Sequence, residues 1–113
     1  MSAILTAAAL LLATPSPPPP HRCAADAVKR GKALMNLHFS DGEQALDEPS
    51  IHVDSRVKTL PPLKALKGTG KFDVLEVWAY VYKAEYRMRF LYAQMPGQCV
   101  LMGQEILEAS DPY

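Results

Sequence analysis

The chain has no excess of charge of either sign, and no charged residue precedes Pro20. Its 12 Lys and Arg residues equal its 12 Asp and Glu residues over 113 positions. With no basic excess, the sequence offers no general electrostatic attraction for nucleic acid or for an anionic membrane surface. We therefore expect no nucleic-acid partner. A chain of this length has room for one hydrophobic core, which predicts one domain.

The N-terminus lacks an apolar run long enough to cross a bilayer, which takes about 20 residues. Its uncharged apolar run covers ten residues, 4–13, which is the length of the apolar region of a signal peptide. No Lys or Arg precedes this run, which departs from the signal-peptide pattern, and a proline tract follows it. The alternative is a disordered, alanine-rich tail.

We predict that residues 1–20 are a signal peptide and a proline-rich spacer, and that residues 21–113 form a single α+β domain. The domain is then periplasmic or secreted, in a bacterium, with no membrane span after processing.

The sequence has only two cysteines, Cys23 and Cys99. Two single cysteines lack the paired spacing of a zinc site, and in an oxidising compartment they most simply pair. We predict a disulfide between them, which closes a loop over most of the domain and contributes roughly 4 to 5 kcal/mol by the chain-entropy model. The alternative is two buried free thiols.

Apolar and small residues recur at helical spacing from Cys23 to Phe39 and predict a helix there. Gly31 lies within this apolar stripe, although glycine destabilises a helix interior, and so predicts close approach to a neighbouring element. Alternating residues predict a strand from Ile51 to Val57, ended by the sequence LPPL. The two-glycine stretch 64–71 predicts a loop, and its glycine spacing does not match a phosphate-binding loop.

The C-terminal half predicts a meander of three antiparallel strands, because β-branched and aromatic residues alternate with polar ones and the sequence MPGQ suits a type II turn. The alternative is one long helix over residues 74–94. The whole is an α+β fold, with an N-terminal helix packed on one face of a small antiparallel sheet of one strand plus the meander. The predicted meander strands are Phe72–Tyr82, Glu85–Gln94 and Cys99–Glu108.

The turns predict which side chains share a face of the sheet. A turn at 95–98 places Tyr92 opposite Leu101 and Phe90 opposite Gly103, so that Cys99 shares the face of Phe90 and Tyr92. A disulfide to Cys23 at the start of the helix requires the helix to cover that face.

A first hairpin centred on Lys83 and Ala84 places Tyr80 opposite Arg87 and Trp78 opposite Arg89, on the face away from the helix. Trp, Tyr and Arg dominate binding hot spots, so these residues are the candidate binding site. Two alternatives remain: the pairs serve only to stabilise the sheet, or a one-residue change in the length of the turn directs the aromatic rings into the core. The candidate site residues are Trp78, Tyr80, Tyr82, Arg87 and Arg89.

Catalytic and metal-binding patterns are sparse. His38 ends the helix, and Glu105 is expected opposite Met88 on the covered face, so an acid/base pair between them is conceivable. His52 and Asp54 alternate on one strand face, but no third metal ligand accompanies them. We therefore predict no catalytic residue, no metal and no cofactor.

The leading hypothesis is a small exported, non-catalytic domain that binds a protein or a cell-envelope component through the aromatic and arginine face. One alternative is a small acid/base enzyme using His38 and Glu105. A second alternative is a structural accessory protein without a defined pocket.

Overall fold

The computed structural model describes residues 18–39 and 51–112, so the predicted signal peptide lies mostly outside the described residues. Within these two ranges, one helix is followed by five strands that form one antiparallel sheet. The α+β prediction is confirmed. The elements are α1 (Ala24–Phe39), β1 (Ile51–Val53), β2 (Lys58–Lys64), β3 (Lys71–Val81), β4 (Ala84–Ala93) and β5 (Leu101–Glu108).

The helix α1 follows the predicted apolar stripe: Ala27, Gly31, Leu34 and Met35 are its buried residues. Asp26 lies in the first turn, where a negative charge stabilises the helix by interacting with the positive end of its dipole. A side chain at Gly31 would meet the sheet, because a Cβ there would lie 3.2 Å from the end of the Met88 side chain. The predicted close approach at Gly31 is confirmed.

The sheet is built around β3, which pairs with β4 along its whole length, from Phe72 opposite Ala93 to Val81 opposite Ala84. This pairing excludes the alternative of a long helix over residues 74–94. The strand β5 continues the sheet beyond β4. On its other side β3 pairs with both β1 and β2, each covering part of its length.

The segment before β3 differs from the prediction, which placed one strand over Ile51–Val57 and ended it at LPPL. The strand β1 is only three residues long, and β2 runs through LPPL. The Asp54 side chain accepts a hydrogen bond from the Arg56 amide, an interaction that competes with strand pairing. Proline is tolerated in β2 because it is an edge strand, and the register shifts between Leu60 and Leu63.

The hydrophobic core lies between α1 and one face of the sheet. On β3, Leu75, Val77 and Ala79 face the helix, and each is fully buried. On β4, the helix-facing partners of these residues are Phe90, Met88 and Tyr86. The period-two alternation of the two strands therefore directs one set of side chains to the helix and the other set to the opposite face.

The start of α1 is fixed to the turn between β4 and β5 by a disulfide between Cys23 and Cys99, 76 residues apart in sequence. The predicted disulfide and the predicted helix-covered face are both confirmed. Arg22 donates hydrogen bonds to the carbonyl oxygens of Met95 and Gln98 in the same turn. Gly97 has a φ of 72°, as the predicted type II turn requires.

Replacing Cys23 and Cys99 together by serine should lower the free energy of unfolding by roughly 4 to 5 kcal/mol, because the unfolded chain loses a long covalent loop. Urea denaturation monitored by circular dichroism measures the change. Wild-type protein in reducing agent is the control and should lose a similar amount. A loss below about 1 kcal/mol would show that the other contacts around α1 hold the helix without the crosslink.

Candidate functional site

The face of the sheet opposite α1 is referred to below as the open face. No helix or strand among residues 18–39 and 51–112 packs against it. Trp78, Tyr80, Arg87 and Arg89 occupy this face, as predicted, because they alternate with the helix-facing residues of β3 and β4.

The register of the first hairpin differs from the prediction by two residues. The turn is centred on Tyr82 and Lys83, so Trp78 lies opposite Arg87 and Tyr80 lies opposite Glu85. The predicted pairs of Tyr80 with Arg87 and Trp78 with Arg89 are therefore wrong. A shift of two residues preserves the side-chain period of a strand, which is why the face itself is as predicted.

Tyr82 lies in this turn and not in the strand. Its backbone φ is 52°, in the left-handed region that residues with a side chain rarely adopt, and its side chain is 90% exposed. The Lys83 ammonium group lies 5.5 Å from the centre of the Tyr82 ring. The turn thus presents an aromatic ring and a cation to solvent at the end of the β3–β4 hairpin.

Glu76 is the central polar group of the open face. Its side chain is only 7% exposed, and its carboxylate accepts hydrogen bonds from Trp78 Nε1 at 2.9 Å and from Arg89 Nε at 3.0 Å. Burial raises the pKa of Glu76, but these two hydrogen bonds and the charge of Arg89 outweigh it and hold the pKa below its ordinary value. The carboxylate therefore fixes the orientation of both Trp78 and Arg89.

Arg87 is held less firmly than Arg89. Its nearest carboxylate is that of Glu105, at 3.6 Å, which is beyond the usual length of a hydrogen bond. Its Nε is buried, and no hydrogen-bond acceptor among the described residues reaches it. Arg87 thus holds a buried donor without an acceptor in the described part of the chain, although its side chain as a whole is 28% exposed.

A groove of about 740 Å³ adjoins this polar cluster on the open face. Its walls are mainly apolar, and Gly103 on β5 contributes no side chain to fill it. Arg89 and Glu105 form its polar end. A volume of this size is typical of a site that takes a small ligand or several side chains of a partner. The apolar side chains of the groove are Leu60, Pro61, Leu63, Val74 and Leu91.

Glu105 was expected opposite Met88 on the covered face, and this prediction is wrong. A bulge at Leu91–Tyr92 shifts the β4–β5 register, so Gln104 rather than Gly103 lies opposite Phe90, and Glu105 lies opposite Arg89 on the open face. His38 packs against the Tyr86 ring, on the helix side of the sheet. The sheet therefore separates His38 from Glu105, and the structure does not bring the proposed acid/base pair together.

The candidate metal ligands, His52 in β1 and Asp54 directly after it, have other contacts. The Asp54 carboxylate pairs with Arg56 at 3.3 Å, and the His52 ring stacks on Tyr80 with 6.2 Å between ring centres. Within the described part of the chain, no three His, Cys, Asp or Glu side chains are grouped closely enough to hold a metal ion. The same part of the chain contains no helix with the length and apolar character needed to cross a membrane.

The groove was not predicted from the sequence. Val74 and Leu91 indicated an apolar area, because both are apolar residues at positions that the period-two pattern assigns to the open face. The position of Leu63 in the groove depends on the continuation of β2 through the two prolines. Comparison with family models, with curated proteins and with solved structures finds no match to this chain.

Replacing Glu76 by glutamine should lower the free energy of unfolding by about 1 to 2 kcal/mol at pH 7, since it removes a buried charge that accepts two hydrogen bonds. The pKa of Glu76 is lower in the folded protein than in the unfolded chain. Its ionised carboxylate therefore stabilises the fold at every pH above the unfolded-state pKa, and this stabilisation is lost as the pH falls through the folded-state pKa. The difference between wild type and variant should therefore shrink below about pH 4.5. Urea denaturation at several pH values measures it.

The matched control is Glu105→Gln, since the Glu105 side chain is 53% exposed and its two arginine contacts are long. This variant should change stability by less than about 0.5 kcal/mol. A difference for Glu76→Gln that is constant from pH 7 to pH 3 would contradict the assignment of an ionised Glu76.

Replacing Tyr82 by glycine should raise the free energy of unfolding by about 0.5 to 1 kcal/mol, because glycine adopts a positive φ without steric cost. Thermal denaturation followed by circular dichroism checks this prediction. Tyr82→Ala, which removes the ring but keeps the Cβ, is the control and should show no such gain. A destabilised glycine variant would show that the Tyr82 ring stabilises the hairpin.

Proposed function

We propose that the chain is a small exported, non-catalytic domain that binds a protein or a cell-envelope component through its open face. The observation that carries the proposal is the combination of oriented aromatic and arginine side chains with an adjoining apolar groove, on a face that no described helix or strand covers.

The aromatic and arginine residues suit binding because the structure restrains some of them before a partner arrives. Trp78 and Arg89 are both hydrogen-bonded to the buried Glu76 carboxylate, so they lose little conformational entropy on association. The Arg87 side chain is 28% exposed, and its contact with the Glu105 carboxylate is long, at 3.6 Å. Such restrained aromatic and arginine residues are the groups that dominate binding energy at protein interfaces.

The groove supplies an apolar contact beside the polar cluster. Leu60, Val74 and Leu91 lie in one row across β2, β3 and β4, with Gly103 of β5 next in the row. A partner that inserts apolar groups here would bury them next to Arg89. This arrangement of an apolar centre with a polar border is typical of binding surfaces.

Export is supported by two features. The disulfide between Cys23 and Cys99 is consistent with an oxidising compartment. The apolar run at residues 4–13 has the length of a signal-peptide core. We propose that residues 1–20 are removed or serve as a spacer, and that the domain acts in the periplasm or outside the cell.

A crosslinking pull-down from the extracytoplasmic fraction tests the proposal. The variant combines Tyr80→Ala with Arg87→Ala and keeps Arg89, because Arg89 stabilises the buried Glu76. The variant should recover about tenfold less of the specific partner than the wild type, since it loses two of the residue types that form hot spots. Far-ultraviolet circular dichroism and thermal denaturation establish that the variant is folded.

The matched control replaces Lys29 and Lys32, two exposed residues of α1, by alanine. This control changes the helix side of the molecule and should recover the partner like the wild type. Equal recovery by the open-face variant, or loss of the partner in the helix variant alone, would contradict the proposal.

A further inference from the structure

The strand β5 forms one edge of the sheet, and among the described residues it is hydrogen-bonded to β4 alone. An edge strand presents unpaired backbone donors and acceptors, which can pair with another extended chain. We propose that the β5 edge receives an extended segment of a partner polypeptide that carries basic residues, which then forms a sixth strand of the sheet.

The backbone groups that would receive this strand follow from the β4–β5 ladder. The amide of Ala109, just beyond β5, donates to the carbonyl oxygen of Glu85 at 2.8 Å. Successive residues of an antiparallel pair alternate between positions that bond across the ladder and positions that do not. Counting from Ala109, the amide and carbonyl groups that point away from β4 are those of Gln104, Ile106 and Glu108.

The opposite edge of the sheet, formed by β1 and β2, has features that prevent such pairing. There β1 is only three residues long, and β2 contains Pro61 and Pro62 together with lysines at both ends. Short strands, prolines and lysines are the features by which proteins protect sheet edges. In β5, the eight residues Leu101–Glu108 contain no proline, lysine or arginine. The β5 edge carries a bulge near its start and two carboxylates, but it is longer than β1 and free of proline and lysine, so it is the less protected of the two edges.

The side chains of β5 indicate the chemistry of the incoming strand. The strand carries two exposed carboxylates, Glu105 and Glu108, and no cation of its own. Arg87 and Arg89 approach Glu105 at 3.6 and 3.9 Å, so they neutralise it only in part. A segment with Lys or Arg complements this edge. A second copy of β5 would instead add carboxylates to an edge that already carries two, which is unfavourable.

Two exposed apolar side chains accompany the carboxylates. Met102 and Leu107 are each 55% exposed. Glu105 and Leu107 lie on the open face and Glu108 on the helix side of the sheet, so the incoming segment should carry both basic and apolar residues. The inference goes beyond the proposed function, because the partner strand would be held by main-chain groups at the β5 edge and not by Trp78, Tyr80, Arg87 or the groove, and each can fail without the other.

Amide hydrogen exchange of the full-length, oxidised protein, measured by nuclear magnetic resonance, tests the inference. The probe is a capped seven-residue peptide of alternating lysine and valine, and its control is the same peptide with glutamate in place of lysine. The lysine peptide should slow exchange of the amides of Gln104, Ile106 and Glu108 by about tenfold or more, since hydrogen-bonded amides are protected. The glutamate peptide should leave them unchanged.

Gln104→Pro provides the matched variant. It removes an amide that points away from β4, and proline is tolerated at such edge positions. It should weaken binding of the lysine peptide by about tenfold, whereas Gln104→Ala, which keeps the amide, should bind within about twofold of the wild type. If Gln104→Pro does not fold, Glu108→Pro with Glu108→Ala as its control makes the same comparison.

Three results would overturn the inference. The first is no protection of these amides by the lysine peptide. The second is equal protection by the glutamate peptide, which would show that the partner does not need basic residues. The third is protection that rises with protein concentration in the absence of peptide, which would identify a second copy of the chain as the occupant of the edge.

Discussion

Burial of one side of a short helix against one face of the sheet is the interaction on which the rest of the structure depends. Leu75 and Val77 of β3, with Phe90 and Met88 opposite them, form the sheet side of this core. Because side chains alternate along a strand, filling the core with these residues leaves their neighbours on the opposite face. The disulfide between Cys23 and Cys99 then fixes the helix start at one end of the sheet. Core packing therefore determines which residues of β3 and β4 lie on the open face.

The open face is organised by a buried carboxylate and not by apolar packing. Removing Glu76 from water is unfavourable unless its oxygens are hydrogen-bonded, and Trp78 and Arg89 satisfy that requirement. The same contacts hold an aromatic ring and a guanidinium group in place beside the apolar groove. The contacts that satisfy the buried carboxylate are thus the same contacts that orient Trp78 and Arg89 on the proposed binding surface. The edge of β5 borders this surface, and Glu105 lies on both.

The sequence allowed the helix, the disulfide and the division of side chains between the two faces to be predicted, because each depends on a regular period or on a pair of unique residues. The details that depend on turns and bulges were not predictable in the same way. The hairpin turn at Tyr82 contains none of the Asn-Gly or Asp-Gly sequences that mark a two-residue turn. A bulge at Leu91–Tyr92 moved Glu105 to the other face. The groove depends on β2, whose two prolines indicated the end of a strand rather than its centre.

The most direct test of the central claim, that the open face is the binding surface, is site-specific photo-crosslinking in cells that produce the protein. A photoreactive amino acid is placed at Tyr80 on the open face in one protein and at Lys32 on the exposed side of the helix in another. The account predicts one defined crosslinked species from position 80 and none from position 32. The same species from both positions, or a species from position 32 alone, would contradict it.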